Sequence, residues 1–275
     1  MIRIVGGKAL TFQSHIRSET KKILADAEKG GWSSPETANE ILRVIRGVSG
    51  VADPYKPVKT KEMAQAKSVF SDVKGQVGSD LRSLVNLAVL GNSLDFFRST
   101  DDALACVAEQ AGHELAYFHD DLDRLQDFLA KDPGLVLYFT DNAGEVFFDT
   151  PLFKYVQSLA RRTILVVKGG PGFNDLTGAE LESSGMSGMF GETMDTGTDG
   201  AGIDWRHVSS AFSALVGEAD LIIAKGMANF ETMYFREIPT PVFFLFRTKC
   251  RVVTEYFKAP MDSMMALWKV LYATQ

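Results

Sequence analysis

The stretch "LVLYFTDNAGEVFFDTPLF", Leu135 to Phe153, decides how this chain reads. Leu135 to Thr140 form a short, nearly continuous apolar run rich in β-formers. Such a run reads as a strand buried on both faces. It breaks off at Asp141-Asn142-Ala143-Gly144-Glu145, where an acid, an amide, a glycine and a second acid follow one another. A helical pattern follows near Thr150 to Ala160. A strand buried on both faces needs helices on both sides, and that calls for parallel strands joined by helical crossovers.

The same grammar recurs downstream. Thr163 to Lys168, Asp220 to Ala224 and Pro241 to Phe246 read as strands, with a helical segment from Asp204 to Val216. The expected fold is therefore α/β, a doubly wound, mainly parallel sheet with a helical N-terminal domain. Residues 1–130 read as the mostly helical region and 131–275 as the α/β domain. Within the first, "SHIRSETKKILADAEKG" has Ser14 as a candidate cap. "SPETANEILRVIRGVSG" has Ser34 as candidate N-cap, Pro35 at the first helical position and Gly50 at the end. "KTKEMAQAKSVFSDVKG", "SDLRSLVNLAVLGN", "STDDALACVAEQAG" and "HDDLDRLQDFLAKDPG" continue the pattern. The tail "RVVTEYFKAPMDSMMALWKVL" fits helix or strand. Ser183 to Gly202 is rich in Gly, Ser and Thr without clear periodicity and reads as a long surface loop, a kind of loop that is often functional.

Composition narrows the classes. The 275 residues are 45% apolar and 23% charged, with a net charge of −6. That is the profile of an ordinary globular protein with a sizeable core, and the negative charge argues against a non-specific nucleic-acid surface. No run approaches the ~18 apolar residues of a membrane span, and "MIRIVGGKAL" lacks a signal-peptide core. Cys106 and Cys250 make no disulfide framework or zinc spacing. The expectation is a cytoplasmic protein without membrane or nucleic-acid partners.

Ligands of open parallel sheets bind beyond the carboxyl ends of the strands, so the residues there carry the functional reading. Asp141, Asn142, Gly144 and Glu145 follow the first strand. "KGGPGFND" follows the second and ends in Asp175. Lys225, Asn229 and Glu231 follow the third. "RTKC", with Lys249, follows the fourth. Asp141, Asn142 and Asp175 offer hard oxygens suited to Mg²⁺ or Mn²⁺. Lys225 and Lys249 offer ammonium groups of the kind that bind phosphate. Each piece alone has a plainer reading: Asp-Asn as a turn or cap, Asp175 as a cap, a strand-end lysine as solvated. The glycines match neither a dinucleotide fingerprint nor a phosphate loop of the Walker type. Together, a metal side and a cationic side describe a site for a phosphate ester.

At these residues the chain resembles the metal-dependent damage-control phosphatases, long known as a domain of unknown function, whose fold is shared with a protein once described as an acidic-residue methyltransferase. The matching blocks are "GNSLDF" (Gly91 to Phe96), "TDNAGEVFFD", "KGGPGFND", "ADLIIAKGMANFET" and "FRTKC", spread over roughly residues 85 to 260. The stand-alone prokaryotic branch fits best. The resemblance implies one divalent ion held by Asp141, Asn142 and Asp175, with Mg²⁺ or Mn²⁺ expected and Co²⁺ or Ni²⁺ as alternatives. It implies that Lys225 and Asn229 face the substrate and that Lys249 holds the phosphate. Asn92 and Asp95 would lie near the pocket, and Glu145 would face substrate or position the metal loop. Glu231 would contact substrate or brace the loop. The paired cysteines with which many relatives begin are missing here.

The implied activity is metal-dependent hydrolysis of small phosphorylated metabolites, such as sugar phosphates or phosphopantetheine-like compounds. Water would be activated by Asp95, by Glu145 or by the metal alone. Two alternatives are a non-catalytic phosphometabolite-binding protein and an adenosyl-methionine-dependent carboxyl methyltransferase. The latter needs a glycine-rich turn that "DNAGE" does not supply. His15, His113, His119 and His207 fall outside the blocks and read as surface or helix residues.

Overall fold

A computed structural model describes residues 12–92 and 100–269. Its centre is a seven-stranded sheet: β1 (Tyr117–Asp120), β2 (Leu135–Phe139), β3 (Arg162–Val167), β4 (Glu192–Asp195), β5 (Leu221–Lys225), β6 (Val242–Arg247) and β7 (Met264–Lys269). The order across the sheet is β1-β7-β6-β5-β2-β3-β4. All neighbours run parallel except β6 and β7. The expected α/β architecture is therefore present.

Helices cover both faces. The first half supplies α1 (Gln13–Gly30), α2 (Ser34–Ser49), α3 (Lys56–Val73), α4 (Leu81–Gly91), α5 (Thr100–Gln110) and α6 (Leu122–Leu129). The second half supplies α7 (Val146–Leu159), α8 (Gly178–Ser183), α9 (Ser210–Glu218), α10 (Met227–Met233) and α11 (Arg251–Phe257). Strand residues alternate between two cores. Val136, Tyr138, Leu221, Ile223, Phe243 and Leu245 pack with α4 and α7 on one face. Leu137, Phe139, Ile222, Ala224, Phe244 and Phe246 pack with α9 and α10 on the other. This two-sided burial is why the central strands are continuous apolar runs.

Several local expectations shift. Ser14 lies inside the first turn of α1, which starts without a side-chain cap. The cap of α2 is Ser33 rather than Ser34; Ser33 and Glu36 form a reciprocal capping box, and Gly50 closes the helix at φ 66°. β1 falls in a segment read as helix, and the tail splits into α11 and antiparallel β7. The glycine-rich segment is not wholly loop: β4 lies within it, pairing with β3.

The topology places the site. From β2 the chain crosses to β3 on one side, and from β5 it crosses to β6 on the other, while β2 and β5 are themselves neighbours. The loops leaving β2 and β5 thus diverge at a topological switch point, where such sheets open a crevice.

Candidate active site

Two loops are laced together at this crevice. Asn142 and Asp175 form an antiparallel bridge. Leu176 N donates to Asp141 O at 2.9 Å, and Ala143 N donates to Asn174 O at 2.8 Å. This brings Asp141, Asn142 and Asp175 together, all three buried. The loop after β5 completes the wall. Gly226 has φ 83°, and a Cβ there would lie 1.9 Å from Asp141 Oδ2. Only glycine allows this approach.

Behind the wall lies a polar network. Asn92 Nδ2 donates to Asp141 Oδ2 (3.0 Å) and to Glu145 Oε1 (2.9 Å), while Asn92 Oδ1 accepts from Arg247 N (3.1 Å). Asn142 Nδ2 also donates to Glu145 Oε1, at 2.8 Å. Lys225 Nζ donates to Ala88 O (2.9 Å), Glu145 Oε2 (3.1 Å) and Asp149 Oδ1 (2.5 Å). Asn229 Nδ2 ties Thr140 O (3.0 Å) to Lys225 O (2.6 Å). Lys168 Nζ donates to Gly202 O (2.6 Å) and Asn229 Oδ1 (3.3 Å), and lies 3.6 Å from Asp175 Oδ2.

Among the expected site residues, then, Asn92, Asp141, Asn142, Glu145, Asp175, Lys225 and Asn229 share one connected neighbourhood. Lys225 and Asn229 differ from expectation in direction: both are fully buried and bonded to protein groups. Lys249 is half-buried, and its charge is felt at Asp141. Glu231 sits apart, in a cavity of about 770 Å³ lined by Trp32, Trp205, Phe230, Cys250 and Tyr256. Burial pushes its carboxyl up to about 7, with the Cys250 thiol opposing. Asp95 lies outside the described residues. Two members of the network were not singled out from the sequence, Asp149 and Lys168. Asp149 follows Glu145 by four residues, on the same face of α7, as an acid in an otherwise apolar stretch.

The electrostatics are one-sided. Four carboxylates (Asp141, Glu145, Asp149, Asp175) and two ammonium groups (Lys168, Lys225) are buried together. With all six ionised, two negative charges are left over before Lys249, felt at Asp141, and Lys59, felt at Asp175 but paired with Asp53 and Glu180, are counted. Burial pushes Asp141 well above the usual carboxylate range, and Glu145 and Asp175 push it further, against Lys249 and Lys168. Burial raises Asp175 to about 6 in spite of Lys168. It raises Asp149 likewise to about 6, in spite of Lys225. Burial works against the charge on Lys225, but Asp149 and Glu145 outweigh it and hold the ammonium above its usual value. Asp175 Oδ2 is a buried oxygen without a hydrogen-bond partner. A buried carboxylate oxygen met only by the Lys168 ammonium at 3.6 Å, a second carboxylate and an amide side chain with surplus negative charge suit a hard divalent cation.

A second group could also hold a cation by spacing alone: ligand atoms of Glu40, Asp204 and His207 lie within 4.8 Å of one another. Here the charges are already met. Arg43 reaches Asp204 at 2.6 Å and Glu40 at 3.1 Å, and Arg206 reaches Glu40 at 3.1 Å. His207, half-exposed, lies 2.9 Å from Asp204.

Comparison with known proteins identifies the family. The damage-control phosphatase ARMT1-like domain matches residues 8–265. A damage-control phosphatase of Pyrococcus horikoshii is 31% identical over 221 residues, 79% of this chain and 75% of that one. One of Archaeoglobus fulgidus is 29% identical over 255 residues, 90% of this chain and 87% of that one. The crystal structure of a DUF89 family protein of Pyrococcus horikoshii superposes with a TM-score of 0.83 at 27% identity, covering 98% of this chain and 94% of the other. With its fold and its sequence in accord, the chain belongs to the damage-control phosphatase family.

Proposed function

We propose that this protein is a metal-dependent phosphomonoester hydrolase acting on small phosphorylated metabolites, of the size of sugar phosphates or phosphopantetheine-like compounds. The observation that carries the reading is the buried excess of negative charge at the switch point, where Asp141, Asn142 and Asp175 are gathered. Those three residues would hold one divalent ion, with Mg²⁺ or Mn²⁺ matching the oxygen donors. When bound, the ion would supply a Lewis acid for a phosphoryl oxygen.

The chain's own groups divide the remaining work. Lys249 binds the phosphate and offsets charge on its outer oxygens. Phosphoryl transfer depends mainly on positioning and electrostatics, so no side-chain nucleophile is needed. Glu145 serves as a brace rather than a base, because its two oxygens already accept from Asn92, Asn142 and Lys225. Lys168 holds Asp175 and the Gly202 carbonyl in place.

The test is phosphate release from a panel of phosphorylated metabolites, with Mg²⁺, Mn²⁺, Co²⁺ or Ni²⁺ added and with a chelator control. Release that needs a divalent ion and stops with chelator is the expected result. Turnover unaffected by chelator would remove the metal from the reading. Binding of phosphorylated compounds without any turnover would leave a binding protein instead.

A further inference from the structure

Lys225 closes an apolar strand at the mouth of the site, a position that suggests a phosphate ligand. The structure directs it elsewhere. An ammonium has three protons, and those of Lys225 go to Ala88 O, Glu145 Oε2 and Asp149 Oδ1. The side chain is fully buried. Its direction follows from strand parity: Leu221, Ile223 and Lys225 share the face that packs on α4 and α7.

From Lys225 a chain of hydrogen bonds runs outward. Glu145 takes the ammonium on Oε2 and two amides, Asn142 Nδ2 and Asn92 Nδ2, on Oε1. Asn92 Nδ2 continues to Asp141 Oδ2. We infer that Lys225 is a positioning residue that acts through Glu145 to orient Asn142 and Asp141, and that it does not touch substrate. This rests on the metal reading above. The two ends of an asparagine amide have nearly the same shape, but only the oxygen end can coordinate a cation. Glu145 is an acceptor, so it selects the nitrogen end and turns the oxygen end of Asn142 away from itself. That selection requires Glu145 to stay fixed while buried. Lys225 holds it by donating to Oε2 at 3.1 Å.

The test separates metal binding from phosphate binding. Mn²⁺ affinity is measured by calorimetry without substrate. Inorganic phosphate binding is then measured at saturating Mn²⁺. The variants are Lys225→Met, Glu145→Gln and Lys249→Met, each checked for a cooperative melt. Glu145→Gln keeps the size of the side chain and leaves Lys225 paired with Asp149. Its amide nitrogen must nevertheless face another donor, either Lys225 or the two asparagines. The expected result is a 10- to 100-fold loss of Mn²⁺ affinity in Lys225→Met and Glu145→Gln, with phosphate binding within about threefold of wild type once Mn²⁺ saturates. Lys249→Met should do the reverse. Lys225→Met with unchanged Mn²⁺ affinity and weakened phosphate binding would overturn the inference and return Lys225 to the substrate. Should Lys225→Met fail to fold, Glu145→Gln decides: unchanged Mn²⁺ affinity there overturns the inference. Wild-type protein that binds no divalent ion would instead overturn the metal reading, and the relay with it.

Discussion

Two charged clusters tie distant parts of this chain together, and they are built on opposite principles. The cluster joining α2 to the segment 199–207 matches three acids, Glu40, Asp199 and Asp204, with three guanidinium groups, Arg43, Arg46 and Arg206. Burial works against the charge of Asp204, but hydrogen bonds from Arg43 and His207 prevail and hold it below the usual carboxylate range. The cluster at the switch point sets four buried carboxylates against two buried ammonium groups, and there the carboxyls are pushed upward. The first contains ligand atoms at metal-binding spacing, those of Glu40, Asp204 and His207. Only the second has charge left for a cation to neutralise. A cation entering the first would have to displace guanidinium groups already in place. The balance of charge, more than the number of acids, distinguishes a clamp from a ligand site.

The strongest way to break that contrast is to delete an acid from the switch-point cluster. Asp141→Ala or Asp175→Ala should lower kcat/KM by more than about 1,000-fold, roughly 4 kcal/mol of transition-state stabilisation. The metal-free Asp141→Ala protein should melt at or above wild type, because a buried surplus charge has gone, whereas Asp175→Ala, which leaves buried Lys168 without its carboxylate, should melt lower. Full activity in either variant would end the assignment.

Lys249→Met comes next. If Lys249 binds phosphate in a partly shielded site, its loss should cost about 2–4 kcal/mol, or roughly 30- to 1,000-fold in kcat/KM at saturating metal. Lys249→Arg should restore this only in part, since a planar fork replaces a compact charge. A ratio near one would take Lys249 out of the site.

The balanced cluster should respond in stability alone. Asp204→Ala removes a buried carboxylate that Arg43 and His207 share, at a cost of about 2–4 kcal/mol in denaturant unfolding. The kcat/KM per folded molecule should stay within about twofold. A large loss of activity with stability intact would mean that this cluster, too, serves the chemistry.

The sequence disclosed these regions unequally, for physical reasons. β2, β3, β5 and β6 are legible because burial on both faces leaves uninterrupted apolar runs. β1 and β4 are edge strands with exposed side chains, "YFHD" and "ETMD", and carry no such signal. Acids and amides gathered at several strand ends read as a candidate site because a buried strand does not itself require them. Their directions were harder to see. Lys225 and Lys168 both close strands, yet Lys225 turns toward α4 and α7 and Lys168 toward Asn229 on α10. Counting alternate residues along each strand would have predicted that split. The pairing of α2 with the segment 199–207 joins residues more than 150 positions apart, and no local pattern encodes it.

The smallest test asks what burial does to a carboxyl that belongs to neither cluster. Glu231 sits in the aromatic cavity beside Cys250, with its carboxyl raised to about 7 from an ordinary 4.5, burial being the main cause. A raised folded-state value means that the folded protein binds the proton more tightly than the unfolded chain does. The resulting stability is fully present below about 4.5 and is lost as pH rises through about 7. Glu231→Gln keeps the shape and cannot ionise. It should therefore match wild type near pH 4 and be the more stable protein at pH 8.5, by about 1–3 kcal/mol after allowing for partial solvent access. Denaturant unfolding of both proteins at the two pH values gives the comparison. Asp204→Asn should show the opposite trend, since a lowered value contributes stability above the unfolded pKa that disappears in acid. If Glu231→Gln gained nothing at high pH, burial alone would not raise a carboxyl in this protein. The elevated Asp141 and Asp175 would then owe their shift to neighbouring carboxylates, Glu145 first, which would strengthen the case that surplus charge is what a cation answers.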